Sequence, residues 1–343
     1  MAGTKRPASG SLEIDGTAVA PGETRKVNIP VARLATQTQV YLSTVVVNGR
    51  RPGPRLWLSA AVHGDEINGV EVIRRVLETI DPAKLTGAVV AVPVVNIFGF
   101  LNQSRYLPDR RDLNRSFPGS SAGSLASRLA RLFLDKVVGR CTHGIDFHTA
   151  TAHRTNLPQI RADLDDPATR ACAEAFGAPV MLHARTRDGS LRAAAATMGL
   201  TTLLFEGGEP QRFNEDVIRV GVHGVFRVLA HLGMIRRGAP RRSAPVMASR
   251  ASTWVRAGRS GLFHLETVAG RRVKARERVG CITDGPGDLE IPVLASRAGM
   301  VIGVALNPLV SRGDALVHIA EIASPAPGPG TGHKPKDKPD RKR

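Results

Sequence analysis

A histidine and a glutamate stand three residues apart in His63-Gly64-Asp65-Glu66, directly after the apolar run at 56–62. Imidazole nitrogen and carboxylate oxygen are ligand atoms of a catalytic zinc, which takes three protein ligands and keeps one position for water. A single His-x-x-Glu is a weak signal: His63 also reads as a turn residue, and Glu66 as a carboxylate opening a helix. Two further strand-end signals strengthen it, Asp146-Phe147-His148 and Phe205-Glu206-Gly207-Gly208. His148 would complete a His-Glu-His set, against the simpler reading of a packed histidine. Asp146, two residues earlier, points to the same side of a strand and could orient a ligand through its carboxylate. Glu206 could serve as general base and then as proton donor to a leaving amine, and glycines beside it let the backbone approach a ligand closely. Glu209 competes locally, and a helix cap is the alternative role for either.

The loop Asp112-Leu-Asn-Arg-Ser-Phe-Pro-Gly119 carries a second constellation. Asn114 and Arg115 are adjacent donors, and a guanidinium can hold a substrate carboxylate through two parallel hydrogen bonds. Arg105, Arg110 and Arg111 make the neighbourhood cationic, and one of them could polarise a scissile carbonyl or stabilise an oxyanion. Without the metal motif, a basic surface loop would be the better reading.

These residues need a scaffold that brings strand ends together. Val40–Val47 alternates as a strand, Asn48-Gly49 is a turn signal, and 51–54 extends the loop before a strand over 55–62. Asn68–Thr79 is an amphipathic helix with Val70, Ile73, Val76 and Leu77 on one face. Ala88–Val95 is a continuous apolar run, the mark of a strand buried on both faces. Helices follow over 125–138, 167–176, 190–198 and 214–232, with strands over 144–147 and 201–205 between them. This alternation implies an α/β fold, a mainly parallel sheet flanked by helices, with active residues at the carboxyl ends of its strands. Gly238–Pro245 opens a linker over 238–251. From 252 to 322 the helical period disappears and short β-like runs remain (261–265, 278–282, 299–305, 315–319), a small all-β sandwich domain. The expected layout is a disordered N-terminus over 1–12, a catalytic domain over 13–237, the linker, the β domain, and a disordered basic tail over 323–343.

Composition excludes several classes. The 343 residues carry a net charge of +18, but only nine of the 48 basic residues are lysine, and the arginines spread along the whole chain. Aromatic residues are 4%, too few for a base-stacking platform. A nucleic-acid partner is therefore not expected, whereas a cationic pocket for an acidic small molecule is. No apolar run reaches the roughly 18–20 residues of a membrane helix. The start of the chain lacks a signal-peptide core, so a cytoplasmic location is the expectation. Three scattered cysteines give neither a disulfide framework nor metal spacing. There is no Gly-x-Ser-x-Gly elbow and no Walker A loop. The β domain has one lysine, Lys274, away from the expected hairpin tip at 284–288, which argues against a biotinyl or lipoyl carrier.

His-Gly-Asp-Glu, Asp-Leu-Asn-Arg-Ser-Phe-Pro-Gly, Asp-Phe-His and Phe-Glu-Gly-Gly, in that order over roughly 40–235, resemble the succinylglutamate desuccinylase/aspartoacylase family of the zinc carboxypeptidase clan. The resemblance implies that His63, Glu66 and His148 bind one Zn2+ per subunit, Asn114 and Arg115 grip the substrate carboxylate, and Glu206 is the general base. Arg105 is taken as the oxyanion partner. It further implies hydrolysis of the amide of a small N-acylated amino acid, and a C-terminal domain similar to a biotinyl/lipoyl-type sandwich. A zinc carboxypeptidase acting on a short peptide or glutamate-type tail is the alternative. A homo-oligomer is compatible with the sequence, and neither a membrane nor a nucleic-acid partner is expected.

Overall fold

The computed structural model describes residues 10–236, 240, 245–285, 287 and 289–321. Four strands form the middle of its large sheet, all parallel, in the order Thr86–Val92, Arg51–Ala60, His143–His148, Thr201–Gly208. Outside them the sheet turns antiparallel. Gln39–Asn48 pairs with Thr86–Val92 and carries Glu23–Arg33 on its outer edge. On the other side Arg154–Ala162 pairs with Thr201–Gly208.

The sheet is thus mixed rather than mainly parallel, and connection length explains why. A parallel return needs a crossover of a dozen or more residues. The short connections at 34–38 and 149–153 cannot supply one, so the strands after them run back antiparallel.

Helices cover both faces. Asn68–Thr79, Pro167–Phe176 and Glu215–His231 pack on Leu58, Ile145, Phe147, Leu203 and Phe205. Leu125–Lys136 and Leu191–Thr197 lie over Trp57, Val90 and Val92 on the opposite face. Each of these helices falls within two residues of its sequence-based bounds. The strand expected to start at 55 begins instead at Arg51 and takes in the Pro-Gly-Pro segment.

Three expectations about layout change. Leu12, placed in the N-terminal tail, opens a strand Leu12–Ile14 that pairs with Thr17–Val19, whereas residues 1–9 lie outside the described residues. Residues 237–239 and 241–244, which include most of the linker's start, also lie outside them. The linker's end is a strand, Met247–Ser249, parallel to Val180–His183. Finally, the C-terminal β segment is not separate from the catalytic sheet. Gly299–Ala305 pairs with Arg154–Ala162, and Ala315–Ala320 and Ser252–Arg256 continue outward from it. A second sheet of four strands, Glu290–Leu294, Arg278–Thr283, Gly261–Leu265 and Leu309–Val310, covers this extension over a core of Val301, Val317, Ile319, Phe263, Val279 and Ile282. The two layers make a sandwich that shares one sheet with the rest of the molecule. The hairpin tip at 284–288 is described only in part, and 322–343 lies outside the described residues.

Candidate active site

Side chains on directly paired strand positions share a face of the sheet, and two such rows build the site. One row is Ser59, Asp146, Leu204 and Arg161; the next is His148, Glu206 and Gln159. The 51–60 strand ends just before His63. Ala61 takes a left-handed φ of 48°, a conformation alanine rarely adopts, as the chain leaves the sheet. Gly64 then passes so close to the backbone at Gly99 and Phe100 that a Cβ there would lie 1.9 Å from the Gly99 carbonyl carbon. The small residue between His63 and Glu66 is therefore sterically required.

His63, Glu66 and His148 meet, all buried. Glu66 lies with Oε1 2.7 Å from His63 Nδ1 and Oε2 2.8 Å from His148 Nδ1, and the two Nδ1 atoms are 3.2 Å apart. Their remaining ring nitrogens face carboxylates: His148 Nε2 is 2.8 Å from Asp146 Oδ2, and His63 Nε2 is 3.2 Å from Asp112 Oδ1. Ser59 Oγ donates to the other oxygen of Asp146 at 2.7 Å. Two imidazoles and a carboxylate turned toward one point, each imidazole backed by a second carboxylate, is the donor set and outer support that zinc takes. The residues present fit the ion.

Ionic contacts tie the cluster together. Burial pushes Glu66 up, but the charges and hydrogen bonds of His63 and His148 outweigh it and hold the carboxyl well below its usual range. Burial pulls both histidines down, yet Glu66 and Asp112 raise His63, and Asp146 and Glu66 raise His148 further. Among the described residues one other His/Asp group could gather a cation, Asp163, Asp165 and His183. Its two aspartates are exposed, and Asp165 is already paired with Arg250 at 2.7 Å.

Arg105 enters from the loop side, with Nη1 3.3 Å from Glu66 Oε1 and Nη2 2.9 Å from Asp112 Oδ2. Asp112 caps the short 3-10 turn Leu113–Arg115 by accepting from Asn114 N at 2.8 Å, so one carboxylate positions His63, Arg105 and the Asn114–Arg115 pair. Asn114 Oδ1 accepts the Leu191 backbone N–H at 2.9 Å, which turns its amide NH2 into the free end. Glu206 Oε2 accepts from Asn156 Nδ2 at 2.9 Å. All seven expected site residues line one cavity of about 510 Å3. Arg110 and Arg111 are not among its lining residues.

Sequence reasoning missed several participants. Asp112 stood inside a quoted motif without a role, although its place two residues before Asn114 is a capping signal. Asn156, Arg161 and Arg192 line the cavity, as do Ser252, Trp254 and His318 from the C-terminal segment. No local pattern marks these last three.

Residues 52–232, over half of the chain, match the family model described as the succinylglutamate desuccinylase/aspartoacylase catalytic domain. The chain is 24% identical over 329 residues to the N-alpha-acetyl-L-2,4-diaminobutyric acid deacetylase of Halomonas elongata, covering 92% of this chain and 95% of that one. A crystal structure of a succinylglutamate desuccinylase/aspartoacylase from Rhodobacter sphaeroides is similar at 30% identity with a TM-score of 0.77, covering 88% of this chain and 96% of that chain. The product-bound ectoine utilization protein EutE (DoeB) of Ruegeria pomeroyi shares the fold at a TM-score of 0.80 and 23% identity, covering 92% and 99%. The matched segment contains every strand end that feeds the cavity's His-Glu-His set, and on that match the chain belongs to the succinylglutamate desuccinylase/aspartoacylase family.

Proposed function

We propose that the protein is a zinc-dependent deacylase that cleaves the amide of a small N-acylated amino acid. The observation carrying this reading is the convergence of His63, Glu66 and His148 in one cavity with Glu206 and with the Asn114–Arg115 pair. When bound, zinc supplies a water acidic enough to attack at neutral pH and a Lewis-acid contact for the scissile carbonyl.

Asn114 and Arg115 hold the substrate carboxylate, the first through its free amide NH2, the second through its guanidinium. That grip fixes the scissile bond relative to the metal set. Glu206 accepts a proton from the attacking water and returns it to the amine nitrogen as the C–N bond breaks, so amide and water become carboxylic acid and free amine. Asn156 holds the second oxygen of Glu206 and fixes its orientation. On this reading Arg105, anchored by Asp112 at 2.9 Å, is the donor that stabilises the charge developing on the former carbonyl oxygen.

The Halomonas relative makes N-acetylated diamino acids the first substrates to test. Purified protein is expected to hold about one zinc per chain, lose turnover of an acyl-amino-acid panel on chelation, and regain it with zinc. Stoichiometric zinc without turnover of any acylated amino acid, or turnover untouched by chelation, would overturn the reading.

A further inference from the structure

The stretch of chain that follows Glu206 is held by side chains as well as by the sheet. The ladder between Thr201–Gly208 and Arg154–Ala162 shifts register between Glu206 and Gly208, and Gly208 stands opposite Asn156. A bulge of this kind leaves a residue out of the ladder and re-aims the strand, so pairing alone does not fix where the strand end lies. Gly208 takes a left-handed φ of 73°. Two asparagines fill the space a side chain would need there: a Cβ would lie 2.3 Å from Asn214 Oδ1 and 2.6 Å from Asn68 Nδ2.

These asparagines bind each other twice. Asn68 Nδ2 donates to Asn214 Oδ1 at 2.9 Å, and the Asn214 N–H donates to Asn68 Oδ1 at 2.9 Å. The pair also grips the turn: Asn214 Oδ1 accepts the Glu209 N–H at 2.9 Å, and Asn68 Nδ2 reaches the Gly207 carbonyl at 3.4 Å. Asparagine at a helix N-cap ordinarily accepts an N–H of the first turn. Asn214 holds that place before Glu215–His231 and makes no such bond, its side chain being committed to the turn instead. Asn68 is 1% exposed and stands two residues after Glu66. From the other side the Ala150 N–H, two residues after His148, donates to the Gly208 carbonyl at 3.1 Å, and the neighbouring Thr149 N–H donates to Glu66 Oε2 at 3.0 Å.

We infer that Asn68 and Asn214 are positioning residues that set Glu206 against the cluster of His63, Glu66 and His148, a role that rests on the reading of Glu206 as general base. The amide pair ties the Gly207-Gly208 turn to the chain just after Glu66, and the Ala150 contact ties it to the chain just after His148. With both sides fixed, the bulge keeps Gly208 opposite Asn156, whose Nδ2 holds Glu206 Oε2. Loss of the clamp frees the turn to shift, and a reacting group misplaced by about 1 Å costs on the order of a hundredfold in rate. Neither asparagine is among the residues that line the cavity, so the clamp acts on the base and not on substrate binding.

Asn214→Ala removes the acceptor without removing a helix cap, Asn214→Asp keeps an acceptor at the same place, and Asn68→Ala cuts the clamp from its other end. With the best substrate of the acyl-amino-acid panel, both alanine variants of the zinc-loaded enzyme are expected to lose about ten- to hundredfold in kcat. Their KM should stay within about twofold of wild type, with zinc content unchanged, and Asn214→Asp should recover most of the rate. In the metal-free protein, amide hydrogen exchange at 207–209 should quicken in the alanine variants and stay near wild type in Asn214→Asp. On a Glu206→Gln background Asn214→Ala should cost less than about twofold more, because the group it positions is gone. Wild-type kcat in the alanine variants, a parallel loss of zinc or rise in KM, or an Asn214→Asp variant as slow as Asn214→Ala overturns the positioning role. Unchanged exchange at the turn does so as well. Full turnover in Glu206→Gln beside quickened exchange in Asn214→Ala keeps the clamp and removes the base reading; loss in Glu206→Gln beside wild-type kcat in Asn214→Ala does the reverse.

Discussion

Glu206 faces two demands that only its position satisfies. It pairs in register with His148, so its carboxylate shares a face with the proposed metal set, yet it makes no contact within hydrogen-bonding distance of that set. A base there is free to move a proton. Glu206→Gln should retain about one zinc per chain and lose hydrolysis by roughly 10²–10⁴-fold, measured as metal content and turnover on the same preparation; turnover close to wild type would remove Glu206 from the chemistry. His63, Glu66 and His148 carry a pH signature of their own. In the metal-free chain His63 and His148 are raised above their ordinary 6.5 and Glu66 is lowered below its ordinary 4.5. The histidines' contribution is fully present below 6.5 and fades as pH rises through their folded values. That of Glu66 is present above 4.5 and fades as pH falls. Metal-free stability should therefore be greatest between these values and decline on the alkaline side, whereas zinc must displace the histidine protons and bind more tightly as pH rises. Denaturant midpoints of the metal-free protein across pH, and zinc titrations in buffers of different ionisation heat, report the two effects; zinc affinity constant between pH 6 and 8 would contradict the second.

Elements position these residues by packing that leaves almost no slack at the central strands. Gly144, two residues before Asp146 on the same face, lies against Trp57, where a Cβ would come 2.0 Å from the indole ring. Gly144→Ala should destabilise the protein by about 1–3 kcal/mol through overpacking and loosen the strand that carries Asp146 and His148. Chemical denaturation reads the first effect and competition with a chelator the second; a variant as stable as wild type would show that the sheet yields easily here. Strands and helices of this core were legible because periods of 2.0 and 3.6 residues survive in Val40–Val47 and Asn68–Thr79, and because apolar runs such as Ala88–Val95 leave only a buried strand as a reading. The buried cluster of His63, Glu66 and His148 was legible for a related reason: each of its members sits where an apolar run stops. Arg154–Ala162 was not legible. Its sequence does not alternate and holds Pro158, a residue that argues against a central strand, yet it pairs on both edges and delivers Asn156 and Arg161. The role of Asp112 toward His63 was hidden for want of any local signal across 49 residues of chain.

At the scale of the whole molecule, the strand with the poorest sequence signal is the one that joins catalytic core to C-terminal segment. Arg154–Ala162 pairs with Thr201–Gly208 on one edge and with Gly299–Ala305 on the other, so the strands that carry Glu206 and His318 are tied through two intervening strands, Arg154–Ala162 and Gly299–Ala305. A linker followed by a self-contained domain would let the two parts unfold separately, whereas a shared sheet couples them. The protein's two tryptophans fall one on each side of the junction, Trp57 buried in the core and Trp254 in the C-terminal segment. Trp57→Phe and Trp254→Phe each leave a single fluorescent reporter. Their denaturant unfolding curves are expected to give one transition each, at midpoints that coincide once each variant's own stability, followed by far-ultraviolet circular dichroism, is taken into account. A Trp254 transition clearly earlier than the loss of secondary structure would mean that the C-terminal segment detaches on its own. The cavity wall made by Ser252, Trp254 and His318 would then be a movable part rather than a fixed one, and substrate selection would have to be sought in its opening.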